Sequence, residues 1–80
     1  MATIQIQVFA VLKDYFKSEF EITGSISTVL ELKIEMEKLN PESKKILQAS
    51  RFAIDEKFVS QEYKLNENDK VVVLPPSSGG

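Results

Sequence analysis

Eighty residues with a net charge of −2, no cysteine and no histidine describe one small domain, whose core buries only a little more than about 60% of the unfolded chain's surface. That charge gives no general attraction to nucleic acid or to an anionic membrane, and no apolar run approaches a membrane span. Without His or Cys there is no Ser-His or Cys-His nucleophile pair, no disulfide framework, and no zinc site except one built from carboxylates alone.

Taken in order, the chain opens without a basic segment followed by an apolar one, so no signal peptide is expected and a cytoplasmic location is the default. Thr3 to Val8 alternates strictly, which predicts a strand with Ile4, Ile6 and Val8 on the core side and Thr3, Gln5, Gln7 and Phe9 on the other. Ala10 to Lys17, with Val11, Leu12, Tyr15 and Phe16, reads as a short helical turn or wide loop. Glu19 to Thr23 alternates again, with Phe20 and Ile22 inward, and Gly24-Ser25 ends that strand. Gly24 is the only internal glycine, so a glycine-rich phosphate loop is excluded.

Thr28-Val29-Leu30-Glu31 fits a capping box, in which the Thr28 hydroxyl accepts from the Glu31 amide and the Glu31 side chain returns the bond. The helix that follows carries Val29, Leu32, Met36 and Leu39 as its core stripe, and Asn40-Pro41 stops it. Leu30 and Ile34 are read as widening the buried face, with a partner surface as the alternative. Glu31, Lys33, Glu35, Glu37 and Lys38 are read as a wet surface. Pro41 to Gln48 predicts a brief second helix with Ile46 and Leu47 inward. Arg51 to Ile54 and Lys57 to Ser60 form a hairpin around Asp55-Glu56. Asn66 to Asp69 is a turn in which Asn68 takes the left-handed conformation. Lys70 to Leu74 is the last strand, and its unbroken apolar run Val71-Val72-Val73-Leu74 makes it central.

The order strand, strand, helix, strand, strand, strand predicts an α+β fold of the ubiquitin-like β-grasp kind. It has a mixed sheet of about five strands, one main helix across one face, and the first and last strands side by side and parallel. Residues 1–74 are expected to be that domain and residues 75–80 a flexible C-terminal tail.

The tail is the most distinctive stretch. Proline cannot donate to a strand ladder, so pairing should stop at Leu74, and Pro75-Pro76 should lead away as a stiff polyproline segment. Six residues could then reach roughly 20 Å beyond the fold. Two of the chain's three glycines are its last two residues, Gly79 and Gly80, where no turn or helix cap needs them. A slim arm ending in a carboxylate suits insertion into a narrow channel of another protein. A frayed terminus or a cloning scar has the same composition, and the rest of the chain has to separate these readings. Alternation supplies one such feature: Phe9, Val72 and Leu74 face away from the helix, and Phe58 joins them because Val59 is the inward residue of its strand. An outward apolar patch beside the tail marks a partner site, unless a loop covers it.

With these stretches together, the chain resembles the small subunits of molybdopterin synthase, a family of ubiquitin-like sulfur carriers. The resemblance covers nearly the whole chain. It is carried by Phe9-Ala10-Val11-Leu12-Lys13-Asp14, Thr28-Val29, Ala53-Ile54-Asp55 and Leu65-Asn66-Glu67-Asn68-Asp69-Lys70-Val71. The most specific part is the ending, Leu74-Pro75-Pro76-Ser77-Ser78-Gly79-Gly80. Two positions depart from the pattern. Asn68 stands where the family usually has Gly, which the turn tolerates. Ser77 stands where the family often has an apolar residue, which weakens any apolar grip on the middle of the tail.

The resemblance implies that an ATP-dependent enzyme adenylates the Gly80 carboxylate and that sulfur delivery then gives a thiocarboxylate. The tail, with Gly79 at its tip, would enter a large catalytic subunit and donate sulfur to a cyclic pyranopterin phosphate. The partner surface would comprise Phe9, Phe58, Val72 and Leu74 with Pro75, Pro76, Ser77 and Ser78. The assembly would hold two small and two large subunits. No cofactor would be bound by the chain alone, ATP being used by the activating enzyme, and the chain would be a sulfur-donating subunit without catalysis of its own. Three other readings are weighed beside this one: a sulfur carrier for thiamin or cysteine synthesis, which the Pro75-Pro76 pair disfavours, a protein modifier conjugated through Gly80, and an interaction domain with an inert tail.

Overall fold

The alternation near the N-terminus does become a strand, and the rest of the sheet is assembled around it. The computed structural model describes residues 1–76. In chain order these form β1 (Ala2–Val8), a 3-10 turn (Ala10–Asp14), β2 (Glu19–Gly24), α1 (Val29–Leu39), a second 3-10 turn (Pro41–Ser43), α2 (Lys44–Ala49), β3 (Arg51–Ile54), β4 (Lys57–Val59) and β5 (Lys70–Leu74). The strands make one sheet in the order β2-β1-β5-β3-β4. β1 and β5 run parallel, with Ile6 opposite Val71 and Val8 opposite Val73, while β1–β2, β3–β4 and β3–β5 are antiparallel. The expected mixed sheet, with the first and last strands adjacent and β5 in the middle, is therefore present.

One face of this sheet is sealed. Ile4, Ile6 and Val8 of β1 and Val71 and Val73 of β5 are buried, and they form one cluster with Val29, Leu32 and Met36 of α1 and Leu47 of α2. Phe20 and Ile22 of the edge strand β2 pack against the cluster only half-buried, and the Phe20 ring stacks on that of Phe16 at 5.5 Å. Ile26 and Leu65, both in loops, also belong to the core.

Three readings of α1 need correction. Leu39 is 62% exposed. It ends the helix where Asn40 caps it and donates from its carboxamide to the Tyr15 carbonyl at 3.1 Å, so the buried stripe stops at Met36. Leu30 and Ile34 are each 40% exposed and do not widen the buried face. Lys33, assigned to the wet surface by its charge, is 7% exposed. It lies four residues after Val29 and three before Met36, which places it on the buried stripe, where a long alkyl stem can cover apolar surface.

The helix start is held by two segments far apart in sequence. The Val29 and Leu30 amides donate to the Tyr63 and Gln61 carbonyls at 3.0 Å, and the Glu31 amide donates to the Thr28 hydroxyl at 3.2 Å. All three first-turn donors are thus satisfied, as helix ends require. The return bond of the capping box is displaced by one residue: Glu31 Oε1 accepts from the Ser27 amide at 2.7 Å and from the Ser27 hydroxyl at 2.8 Å. These bonds, the Ser27 amide first, hold the Glu31 carboxyl below its ordinary value. A carboxylate stabilised in the folded state supports the fold above the ordinary carboxylate range and loses that support as pH falls through its lowered value. Glu31→Gln should therefore flatten part of the acid-side fall in melting temperature, measured from about pH 7 to about pH 3.

The β3–β4 hairpin turns through Asp55 and Glu56 at φ 53 and φ 68, both in the left-handed region, with Ile54 paired to Lys57 across the turn. Two-residue turns of this kind favour glycine at the second position because a β-carbon is strained there. Glu56→Gly should raise unfolding free energy by about 0.5–1 kcal/mol in chemical denaturation. Asn68 takes φ 66, the left-handed turn residue expected from its type.

Candidate functional site

Strand geometry gives the sheet a second face, and α1 does not cover it. Because side chains alternate, the same pairing that buries Val71 and Val73 turns Val72 and Leu74 the other way. The register then fixes the neighbours. Leu74 lies opposite Arg51. Val72 lies between Gln7 and Ala53, and Ala53 lies opposite Phe58. Further from the tail, Gln5 lies between Glu21 and Lys70. The face is therefore divided. Carboxylates stand at the β2 edge, where Glu19 pairs with Gln7 and Glu21 with Gln5, and an apolar strip with one guanidinium runs across β5, β3 and β4.

Phe9, Val72, Leu74 and Phe58 all stand apart from the core cluster and from the partly buried residues packed against it. Phe9, Val72 and Leu74 are half-buried, and Phe58 is 58% exposed. The expected outward placement of all four follows, and Val59 does pack inward. Phe9 is extended, at φ −130 and ψ 160, and continues the alternation of β1 by one residue. Ala10 then turns the chain sharply at φ 55.

Two members of this face were not assigned from the sequence. Ala53 is 7% exposed yet lies outside the core cluster, forming the low middle of the strip between Val72 and Phe58. Arg51 is exposed, and its guanidinium lies 4.7 Å from the centroid of the Phe58 ring. The signal for both was present in the hairpin: residues two apart on one strand share a face, and a two-residue turn sets Ala53 opposite Phe58.

Strand pairing ends at Leu74, and the chain leaves the sheet through Pro75, half-buried, and Pro76, exposed. Proline lacks the N–H that another ladder bond would need. Ser77, Ser78, Gly79 and Gly80, all placed in the site from the sequence, lie outside the described residues. Beside Arg51 the edge of the sheet carries a shallow cleft of about 280 Å³, lined by Ser50, Phe58, Ser60 and Gln61 among others.

With the geometry in place, the chain can be set beside known proteins. It is 27% identical over 81 residues to the molybdopterin synthase sulfur carrier subunit of Dictyostelium discoideum, covering 95% of this chain and 94% of that one. Its fold matches the solution structure of small archaeal modifier protein 1 from Methanosarcina acetivorans, with a TM-score of 0.84, 20% identity and coverage of 100% and 98%. It also matches a chain in the complex of subunits 1 and 2 of the molybdopterin-converting factor of Helicobacter pylori, with a TM-score of 0.72, 20% identity and coverage of 98% and 99%. At those identities the structures establish the β-grasp fold and nothing more. The family model described as the ThiS family matches residues 6–80, nearly the whole chain and the Gly79-Gly80 ending with it, and the chain belongs to the ThiS family.

Proposed function

We propose that this chain is the sulfur carrier subunit of a molybdopterin synthase and that Gly80 is the residue that carries the sulfur. The observation that carries the reading is the junction at Leu74. There an apolar face independent of the core meets a proline-stopped strand that leads to Gly79-Gly80. The Dictyostelium relative, a molybdopterin synthase sulfur carrier subunit over nearly the same length, supports it.

The chemistry begins at a carboxylate, a poor acyl donor at neutral pH. An ATP-dependent activating enzyme joins the Gly80 carboxylate to AMP and releases pyrophosphate. A sulfur donor displaces AMP and leaves a terminal thiocarboxylate. The tail then enters the large catalytic subunit, where the sulfur passes to a cyclic pyranopterin phosphate and the carboxylate is restored with an oxygen from water. Two such transfers build the dithiolene of molybdopterin. The reacting atoms must come within about 3–3.5 Å in a site that excludes water, so a tip without β-carbons suits the channel. Phe9, Phe58, Val72 and Leu74 form the docking face, and Pro75 to Ser78 span the approach. The Helicobacter complex of subunits 1 and 2 supports assembly with a large subunit, which we take as two small and two large subunits. The cytoplasm is the proposed location; among the described residues no helix is long and apolar enough to cross a membrane.

Two measurements test this. Phe58→Asp or Leu74→Asp should weaken binding to the large subunit by more than about 2 kcal/mol in calorimetry, because each places a charge in an apolar contact. Both variants should melt near the unaltered chain, since neither residue belongs to the core. A variant that unfolds instead would refute the face assignment.

Incubation with the activating enzyme, ATP and a sulfur donor should shift the intact mass by one sulfur in place of one oxygen. Deleting Gly80 should abolish that shift and leave the melting temperature unchanged. An unshifted mass refutes the carrier reading, and a ladder of Gly80-linked conjugates in lysate would assign the chain to protein modification.

A further inference from the structure

The docking face contains one charge that its apolar character does not explain. Arg51 stands opposite Leu74, the last residue of β5 and the root of the tail. Paired residues of an antiparallel ladder have Cα atoms about 4.5–5.5 Å apart, so a protein that receives the tail and covers Leu74 also covers Arg51. The guanidinium lies over the Phe58 ring, 4.7 Å from its centroid, a cation–π contact made before any partner arrives. Among the described residues the only ion pair joins Lys38 to Glu35, and the Arg51 side chain makes no hydrogen bond. Its donors therefore have no protein acceptor among those residues.

A guanidinium cannot shed its proton, and burying it in an apolar contact without an acceptor is strongly unfavourable. The partner must provide one. We infer that Arg51, placed over the Phe58 ring, reads a carboxylate that the large catalytic subunit presents beside the mouth of its tail channel. The cleft bounded by Ser50, Ser60 and Gln61 gives that carboxylate room. The Ser50 hydroxyl is committed to the Ile46 carbonyl at 2.6 Å, so the further donors at the strip's edge are the Ser60 hydroxyl and the Gln61 carboxamide. The planar fork of arginine matches a carboxylate two atoms to two atoms, so the contact would set the angle at which the tail leaves for the channel as well as adding affinity. This inference rests on the proposed function and names the chemistry of the partner at the docking face.

The experiment uses the full chain and the purified large subunit from the same organism, with binding measured from about 50 to about 500 mM NaCl. Arg51→Gln should bind about tenfold or more weakly and show a shallower salt dependence. Arg51→Lys should fall between, because an ammonium keeps the charge and loses the fork. Arg51→Glu should bind more weakly than Arg51→Gln, because two carboxylates would then face each other. Equal binding by the Gln and Glu variants would overturn the inference, as would Arg51→Gln binding within about twofold of the unaltered chain with the same salt dependence. Failure of the unaltered chain to bind at all would overturn the proposed function and this inference with it.

Discussion

The parallel ladder between β1 and β5 is the constraint on which the molecule depends. It joins the two ends of the sequence in the centre of the sheet, and its register decides which residues each face receives. A slip of one residue would turn Val71 and Val73 outward and bury Val72 and Leu74 against α1. The two strands lie at opposite ends of the chain, so bringing them together costs loop-closure entropy that side-chain burial has to offset. Ile4, Ile6, Val8, Val71 and Val73 supply it, all essentially inaccessible to solvent.

That ladder also keeps core packing and the proposed recognition surface on separate atoms. Val71 and Val73 hold the domain together, while Val72 and Leu74, their neighbours in sequence, stand outside the core cluster. A surface so divided can be remade for a partner with little effect on folding. The proposed chemistry lies elsewhere on the chain. Its described residues present a flat, partly apolar face and shallow clefts, and the atoms proposed to react sit at the end of a tail beyond it.

The far side of the domain shows a second kind of dependence. The loop before β5 reaches back to the start of α1, where the Gln61 and Tyr63 carbonyls accept from the helix and the Leu65 amide donates to Ser27. Leu65 is buried in the core beneath these bonds. The loop thus completes the helix end and, through the Asn68 amide bonded to the Thr3 carbonyl, delivers the chain to the start of β5 in register with β1. A stretch with little periodicity of its own turns out to position the strand that carries the proposed docking face.

Patterns local to a few residues were legible in the sequence. Strand alternation, the Thr28 cap, the Asn68 turn and the proline stop each follow from backbone and side-chain rules acting within one turn or one strand. The double glycine stood out because nothing local required it. What needed three dimensions was anything set by a neighbour distant in sequence. Lys33 is buried and Leu39 exposed because the extent of α1's covered stripe, and not residue type, decides their surroundings. Leu30 and Ile34 remain half-open for the same reason. The Glu31 carboxylate accepts from the Ser27 amide instead of the Thr28 amide because the loop geometry ahead of the helix brings Ser27 within reach. Arg51 and Phe58 meet, and meet beside Leu74, only because β3 pairs with β4 on one side and β5 on the other. A single strand's periodicity says which face a residue takes. Only the order of strands in the sheet says what stands next to it, because that order is settled by burial summed over the whole core.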